Sequence, residues 1–368
     1  MEKIDKKDIF AVILAGGRGE RLWPKSRISF PKQNLRLFAK GTIIQDTIER
    51  ARKIVRGNTK NIFVIATKEN SFNTIRQLKK FRIKKIFIEP FRRNTAPAIG
   101  LATLLAFKEN KNSTLVIMPS DHLIVDNKKF FNAINLAINE ANKEEVVVTL
   151  GIKPASAESA YGYIGIDNRL SRTSLKNSYK VIRFIEKPSS LRAGRLILSG
   201  RFFWNSGIFV FKASTVLSML KRHTPTLHKG LLRLSNIKDN YRFNKKLQRL
   251  YERLESESFD HAILEKSGDI RVIPSDFGWS DIGSFTSIAR FVDKDDYGNA
   301  IFGNLVSIDT KGSIIFSDTE HLVGTIGIKD LIVIVTSDAI LVCDKKRAED
   351  IKKLVIKIKK KKSLLKFL

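Results

Sequence analysis

The 368-residue chain has one cysteine, Cys343, so no disulfide can form within it, and that usage suits a reducing compartment. Its apolar runs are all too short for the 18 or more residues of a membrane-spanning helix. The first residues are charged, and the apolar run after them is cut by Gly16 and Gly17, so they do not read as a signal peptide. Histidine is scarce, at five, and unclustered, which gives no zinc-site spacing; His122 is read as a packing residue or a neighbour of the site. Acidic residues are few: 37 against 67 Lys and Arg, a formal net charge of +30. That imbalance points to polyanionic partners, whether nucleic acid, anionic lipid or phosphate-bearing substrates. At 43 % hydrophobic content the chain can bury a large core, which excludes general disorder, and its length favours two domains.

Short Ile- and Val-rich runs at 9–15, 61–67, 84–90, 114–120 and 145–151 are bounded by turn or charged residues and predict buried strands. Helical patterns at about 45–56, 70–80, 96–108 and 128–142 alternate with them, which implies a mainly parallel sheet covered on both faces. In such sheets ligands sit at the carboxyl ends of the strands. From 151 to about 290 the pattern is less regular, with strands at 161–166, 179–186 and 206–211 and helices at about 189–199, 213–222 and 240–266. After about 298 short β-like runs dominate, ending in a Lys-rich helix. They suggest a small β domain, with a short β-helix as one form, although no clean repeat period is present. The expected fold is α/β: a Rossmann-like domain with a mixed, mainly parallel sheet over 1–290, in two parts at about 1–150 and 151–290, then a small β domain with a Lys-rich C-terminal helix over 291–368.

The first strand runs into Ala15-Gly16-Gly17-Arg18-Gly19-Glu20-Arg21. Glycines there let backbone N–H groups approach a phosphate. No Gly-Lys-Ser/Thr follows, so this is not a P-loop, and the third glycine of a G-x-G-x-x-G fingerprint falls on Leu22. A phosphate cradle with Arg18, Arg21 and Lys32 as cations remains, beside the plainer reading of a tight strand-to-helix turn with solvated arginines.

Leu14-Ala15-Gly16-Gly17-x-Gly19-x-Arg21-Leu22-Trp23-Pro24-x-Ser26, followed by Phe30-Pro31-Lys32-Gln33, resembles the signature of nucleotide-sugar pyrophosphorylases, and its details are similar to bacterial mannose-1-phosphate guanylyltransferases. Glu89-Pro90 with Arg93-Asn94-Thr95-Ala96-Pro97, Pro119-Ser120-Asp121-His122, Tyr161-Gly162-Tyr163-Ile164, Glu186-Lys187-Pro188, Trp204-Asn205-Ser206-Gly207 and Gly278-Trp279-Ser280-Asp281-Ile282-Gly283 follow in family order. The set spans 11–285 and is far more specific than any one motif. Arg18 and Phe285 depart from the commoner residues, and neither touches the implied chemistry.

The resemblance implies transfer of GMP from GTP to mannose 1-phosphate, by in-line attack of the sugar phosphate on the α-phosphorus, with pyrophosphate leaving. An already ionised nucleophile needs no general base, so charge neutralisation and alignment are the main task. It implies that about 1–150 is the nucleotide-binding part and about 151–290 the sugar-binding part, and that Leu14, Ala15, Gly16, Gly17, Gly19, Glu89, Asn94, Thr95, Ser120 and Asp121 line the nucleotide. Arg21 would stabilise the developing charge, with Arg18 as an accessory, and Lys32 would neutralise phosphate. Asp121 and Asp281 would hold Mg²⁺, which takes one or two carboxylates plus phosphates and keeps waters. Gly162, Glu186, Lys187 and Asn205 would receive the sugar phosphate.

Plainer readings stand beside these: Asp281 as the N-cap of a helix over 282–291, Glu186–Lys187 as a solvated pair, and Asn94 or Thr95 as a helix N-cap. No fused mannose-6-phosphate isomerase activity is expected of a chain of this length. GTP and mannose 1-phosphate are the expected partners, with no specific nucleic acid, in the cytoplasm; a homodimer stays open. A transferase for a different sugar 1-phosphate, a basic nucleic-acid-binding protein and a dead sensor are the competing readings, the last disfavoured by the intact set Arg21, Lys32, Asp121, Lys187 and Asp281.

Overall fold

The computed structural model describes residues 8–17, 19–37, 41–167, 177–237 and 239–368. It has two compact units, and the chain passes between them at Gly16–Gly17, Ile44–Gln45, Ser120–Asp121, Leu123–Ile124 and Trp279–Ser280. The first holds residues 1–16, 45–120 and 124–279, the second 17–44, 121–123 and 280–368. Among the described residues no helix is long and apolar enough to cross a membrane.

The first unit is built on β1 (Ile9–Ala15), β2 (Ile62–Thr67), β3 (Lys85–Glu89) and β4 (Thr114–Pro119), ordered β3-β2-β1-β4 and all parallel. β1 and β2 carry apolar residues with almost no polar alternation because both sheet faces are covered. The covering helices include α1 (Ile43–Ile54), α2 (Ser71–Leu78) and α3 (Thr95–Glu109), close to the spans the sequence predicts. α3 is buried nearly all round, and at Gly100 an added Cβ would lie 2.9 Å from a Leu231 methyl. The two-residue strand β5 (Leu123–Ile124) precedes α4 (Asn127–Lys143), which buries Phe130, Ile134, Ala137, Ile138 and Ala141 as its periodicity predicts.

The sheet continues with β6 (Val147–Ile152), β7 (Tyr163–Ile166), β8 (Tyr179–Ile185), β9 (Phe202–Lys212) and β10 (Ile270–Ser275), giving nine strands in the order β3-β2-β1-β4-β9-β6-β10-β8-β7. β9 runs antiparallel to β4 and β6, so the sheet is mixed. α5 (Ser190–Leu198), α6 (Ala213–His223), α7 (Pro225–Ser235) and α8 (Asn240–Arg253) complete the helices of this unit.

Three features depart from the sequence reading. α7 begins at Pro225, where a proline at the first helical position removes no intrahelical bond. β10 contains Pro274 yet lies inside the sheet. Its pairing with β8 involves only Arg271 and Val272, so the N–H that Pro274 lacks falls beyond that ladder. The helix expected over 240–266 stops at Arg253. The segment after it docks on the start of α3 instead: Ala96 N–H donates to the Glu257 carbonyl (3.1 Å), and Phe259 N–H to Thr95 Oγ1 (2.8 Å). Those bonds satisfy donors that a helix start leaves open, and they outweigh local helix propensity.

In the second unit, β12 (Ala300–Phe302), β14 (Ile314–Ser317) and β16 (Leu331–Val335) stack in parallel, as do β13 (Leu305–Ile308) and β15 (Val323–Ile326), while β17 (Ile340–Asp344) closes the larger stack antiparallel to β16. This is a short β-helical stack. The stacked strands start at 300, 314 and 331, so the rungs are uneven and leave no period in the sequence. One core joins Leu22 and Trp23 to Ile282, Phe285, Ile314 and Ile332. Ile351, Val355 and Ile358 of α10 (Ile351–Lys359) add to it, with Lys352, Lys353 and Lys357 exposed and Lys359 half-buried and paired with Glu20 at 2.6 Å. The two-residue strand β11 (Trp279–Ser280) and the single helical turn α9 (Phe285–Ile288) precede this stack.

Candidate active site

In the second unit the glycine-rich segment is fixed by what it packs against. Gly19 has φ 66°, and an added Cβ there would lie 2.3 Å from Lys32 Cβ, so both backbone and space demand glycine. At Gly17 an added Cβ would stand 3.1 Å from Asp121 Oδ2. Lys32 follows Pro31 at the start of a 3₁₀ turn and is only 6 % exposed. Its ammonium lies 2.8 Å from Asp121 Oδ2 and donates to the Asp281 backbone carbonyl. Burial raises the Asp121 carboxyl, but Lys32 outweighs it, and the group is held below its ordinary value.

Lys32, Asp121 and Asp281 therefore meet around one ammonium. Asp281 does not cap a helix. Its Oδ1 accepts from Gly283 N–H at 3.0 Å, and the short helix Phe285–Ile288 is capped by Ser284, which exchanges hydrogen bonds with Ser287. The Arg21 guanidinium is held by Glu349 at 2.6 Å, a partner the sequence did not suggest. Arg18 lies outside the described residues. His122 Nε2 stands 4.0 Å from Asp121 Oδ1, beside the site.

In the first unit, β1 ends at Leu14 and Ala15, and Ser120 N–H donates to the Leu14 carbonyl at 3.0 Å. Gly16 lies against Thr67, and its carbonyl accepts from Arg92. The hydroxyls of Ser120 and Thr67 are buried here, at the carboxyl ends of β4 and β2. Glu89 is buried at the end of β3 and accepts from Tyr251 Oη at 3.0 Å. Burial pushes its carboxyl up to about 7, against that hydrogen bond and the Arg92 guanidinium. Asn94, at φ 65°, caps α3 by accepting from Thr95 N–H (2.9 Å). The structural roles of Asn94 and Thr95 are thus real, whatever else they contact.

Gly162, Glu186, Lys187 and Asn205 come together. A Cβ at Gly162 would lie 2.6 Å from Glu186 Oε2, and Lys187 Nζ pairs with Glu186 Oε1 at 2.8 Å. Asn205 N–H donates to the Gly162 carbonyl (2.8 Å), and its amide donates to Asp260 Oδ1 (2.7 Å) while accepting from Thr149 and Gly207. Asp260 is not singled out by the sequence reading. It opens the π-helical turn Asp260–Leu264, and no local pattern marks it. Burial and the neighbouring Glu186 carboxylate raise its carboxyl to about 7, opposed by Asn205 and Lys187. Carboxylates and an amide in this arrangement can bind hydroxyls, and the ammonium can bind a phosphate.

The nucleotidyl transferase family model matches residues 10–296, and the MannoseP isomerase/GMP-like beta-helix domain model matches 303–358. An Escherichia coli mannose-1-phosphate guanylyltransferase is 37 % identical over 351 residues, 94 % of this chain and 73 % of that protein. A solved structure from Thermus thermophilus, described as a mannose-1-phosphate geranyltransferase, superposes with TM-score 0.84 at 29 % identity over 96 % of this chain and 99 % of that one. A Helicobacter pylori structure described as a mannose-6-phosphate isomerase is 31 % identical, with TM-score 0.60 over 74 % of this chain and 99 % of that one. The chain belongs to the mannose-1-phosphate guanylyltransferase family of nucleotidyl transferases.

Proposed function

We propose that this protein transfers GMP from GTP to mannose 1-phosphate, releasing pyrophosphate and forming GDP-mannose. The observation that carries the reading at residue level is the buried Lys32 ammonium, held between the Asp121 carboxylate and the Asp281 backbone beside Gly17 and Gly19. A reaction between two polyanions needs fixed cations and backbone donors at the phosphates, and it needs no side-chain base. Lys32 neutralises phosphate, and Arg21 meets the charge that develops on the α-phosphate and leaving group. Gly162, Glu186, Lys187 and Asn205 receive the sugar phosphate, with Asp260 orienting the Asn205 amide. Leu14, Ala15, Gly16, Ser120, Glu89, Asn94 and Thr95 form the nucleotide side.

Among the described residues no three His, Cys, Asp or Glu side chains converge on one point. The carboxylate oxygens of Asp121 and Asp281 are hard donors of the kind Mg²⁺ takes, with its remaining ligands supplied by substrate phosphates and water. Asp121 and Asp281 would hold that ion, which lowers the charge on the phosphates when bound. A single cysteine and a GTP-dependent reaction suit a cytoplasmic place of action.

The test is direct: GTP, mannose 1-phosphate and Mg²⁺ should yield GDP-mannose and pyrophosphate, with chelator abolishing both. Mannose 6-phosphate should stay unconverted. Absence of product with mannose 1-phosphate, together with product from another sugar 1-phosphate or nucleotide, would overturn the assignment of substrate.

A further inference from the structure

α7 and α8 form a groove with basic walls in the first unit. Lys229 and Arg233 come from α7, and Arg242, Lys245, Lys246, Arg249 and Arg253 from α8. These cations are all exposed, and among the described residues none forms an ion pair. Of the two acids nearest in sequence, Asp239 lines one chamber and both are engaged in hydrogen bonds. Asp239 caps α8 by accepting from Arg242 N–H at 2.7 Å, and Glu252 accepts from Gln248 at 3.1 Å. The groove has two adjoining chambers of about 490 and 620 Å³ that share Lys246 and Arg249. Gly230, Leu234, Leu250 and Ile237 supply the apolar surface between the cations. The helices close on one another at its base, where a Cβ on Gly230 would lie 2.2 Å from a Leu250 methyl.

We propose that this groove binds an acidic peptide segment of a partner protein, one that carries carboxylates with apolar residues between them. A run of lysines on a helix is ordinarily a solvated face. Here the cations line both walls of a concave surface, with Asp239 as the one acid in the lining, and among the described residues none of the seven is held in an ion pair. Cations four residues apart on a helix stand about 6 Å apart along its axis. Carboxylates two residues apart on an extended peptide stand about 6.7 Å apart. From Arg242 to Arg253 the stripe extends about 16 Å, the reach of about five extended residues. A single-stranded nucleic acid has similar charge spacing but relies on aromatic platforms for its bases. No aromatic residue lines either chamber; Tyr241, exposed on α8, is engaged at 6.0 Å by Lys245, and the apolar part of the lining, Leu234, Ile237 and Leu250, is aliphatic. The aliphatic lining favours a peptide, whose apolar side chains have somewhere to go.

Fluorescence anisotropy with a labelled (Glu-Leu-Glu-Ser)₃ peptide and the full-length chain tests this at 0.1 M salt. Saturable binding is expected, weakened at least tenfold by K246E/R249E and less than twofold by K360E/K361E, which makes the same change in net charge on the exposed tail. K229A/R233A, on the other helix, should also weaken binding at least tenfold and keeps the test available if the first variant misfolds. The (Glu-Ser-Glu-Ser)₃ peptide should bind less tightly. GDP-mannose synthesis should be unchanged in both groove variants. Equal loss in the groove and tail variants would mean general charge attraction and overturn the proposal. So would absence of saturable binding, or tighter groove-dependent binding of a 12-nucleotide oligouridine than of the peptide.

Discussion

Substituting Glu89 by Gln should remove a specific part of the protein's pH-dependent stability. Glu89 is 5 % exposed, and Tyr251, fully buried, donates to it at 3.0 Å. Its carboxyl is raised from 4.5 to about 7, because burial penalises the ionised form more than Tyr251 and Arg92 favour it. A raised folded-state value means that the folded protein binds a proton the unfolded chain has released. The stability this provides is fully present below about pH 4.5 and is lost as pH rises through 7. At about 1.36 kcal/mol per unit, the displacement corresponds to about 3 kcal/mol. Asp121, depressed below its ordinary value, acts in the opposite sense but at lower pH, so it does not cancel the effect in this window. Asp260 is raised in the same window, but it is present in both proteins and drops out of their difference. Glutamine keeps an acceptor for Tyr251 and has no titration. Urea unfolding followed by far-UV circular dichroism from pH 4.5 to 8 should show the native protein losing about 3 kcal/mol relative to E89Q. Curves that run parallel to within about 0.5 kcal/mol would refute the argument from burial.

K32A should lower kcat by about 10²- to 10³-fold, the effect of removing one preorganised donor, and should also lower the melting temperature because Asp121 loses its partner. Adding D121N should restore the melting temperature without restoring turnover, which separates the two roles. D281N should abolish GDP-mannose formation while leaving the near-UV spectrum intact, since asparagine can still accept from Gly283 and the helix cap belongs to Ser284; near-native turnover would remove Asp281 from the reaction. R21A should act mainly on kcat, and a change in KM alone would make Arg21 a binding residue. E349Q, which removes an ion pair whose members are 36 % and 61 % exposed, should change stability by no more than about 0.5 kcal/mol in thermal melts.

The parallel half of the sheet was legible because β1, β2 and β4 are unbroken apolar runs, and α4 because its buried residues recur at helical spacing. β10 was hidden by Pro274, which is tolerated only because the β8 ladder has already ended. The break after Arg253 was illegible for another reason: nothing local in Leu254–Phe259 says that Glu257 will accept from Ala96 N–H across the fold. At the site, Gly19 was legible as a glycine, but that Lys32 is what excludes a side chain there depends on a contact across thirteen residues of sequence. Asp260, Tyr251 and Glu349 were missed on the same ground. Each acts on a residue far away in sequence (Asn205, Glu89 and Arg21), and an ordinary acid or tyrosine carries no mark of its distant partner.

The charge itself now divides into two kinds. Lys32, Arg21 and Lys187 each lie within 2.8 Å of a carboxylate, Asp121, Glu349 and Glu186 respectively. Each of these cations is already paired with a carboxylate, so on the proposed reading a phosphate binding there would exchange with a carboxylate at nearly constant net charge. Lys32 is only 6 % exposed, and burying an ammonium without an acidic partner is costly. Among the described residues the α7–α8 cations have no such ion-pair partners and gain most from any anion that reaches them. Paired cations suit a reaction that must release its products, and unpaired ones suit a contact that holds.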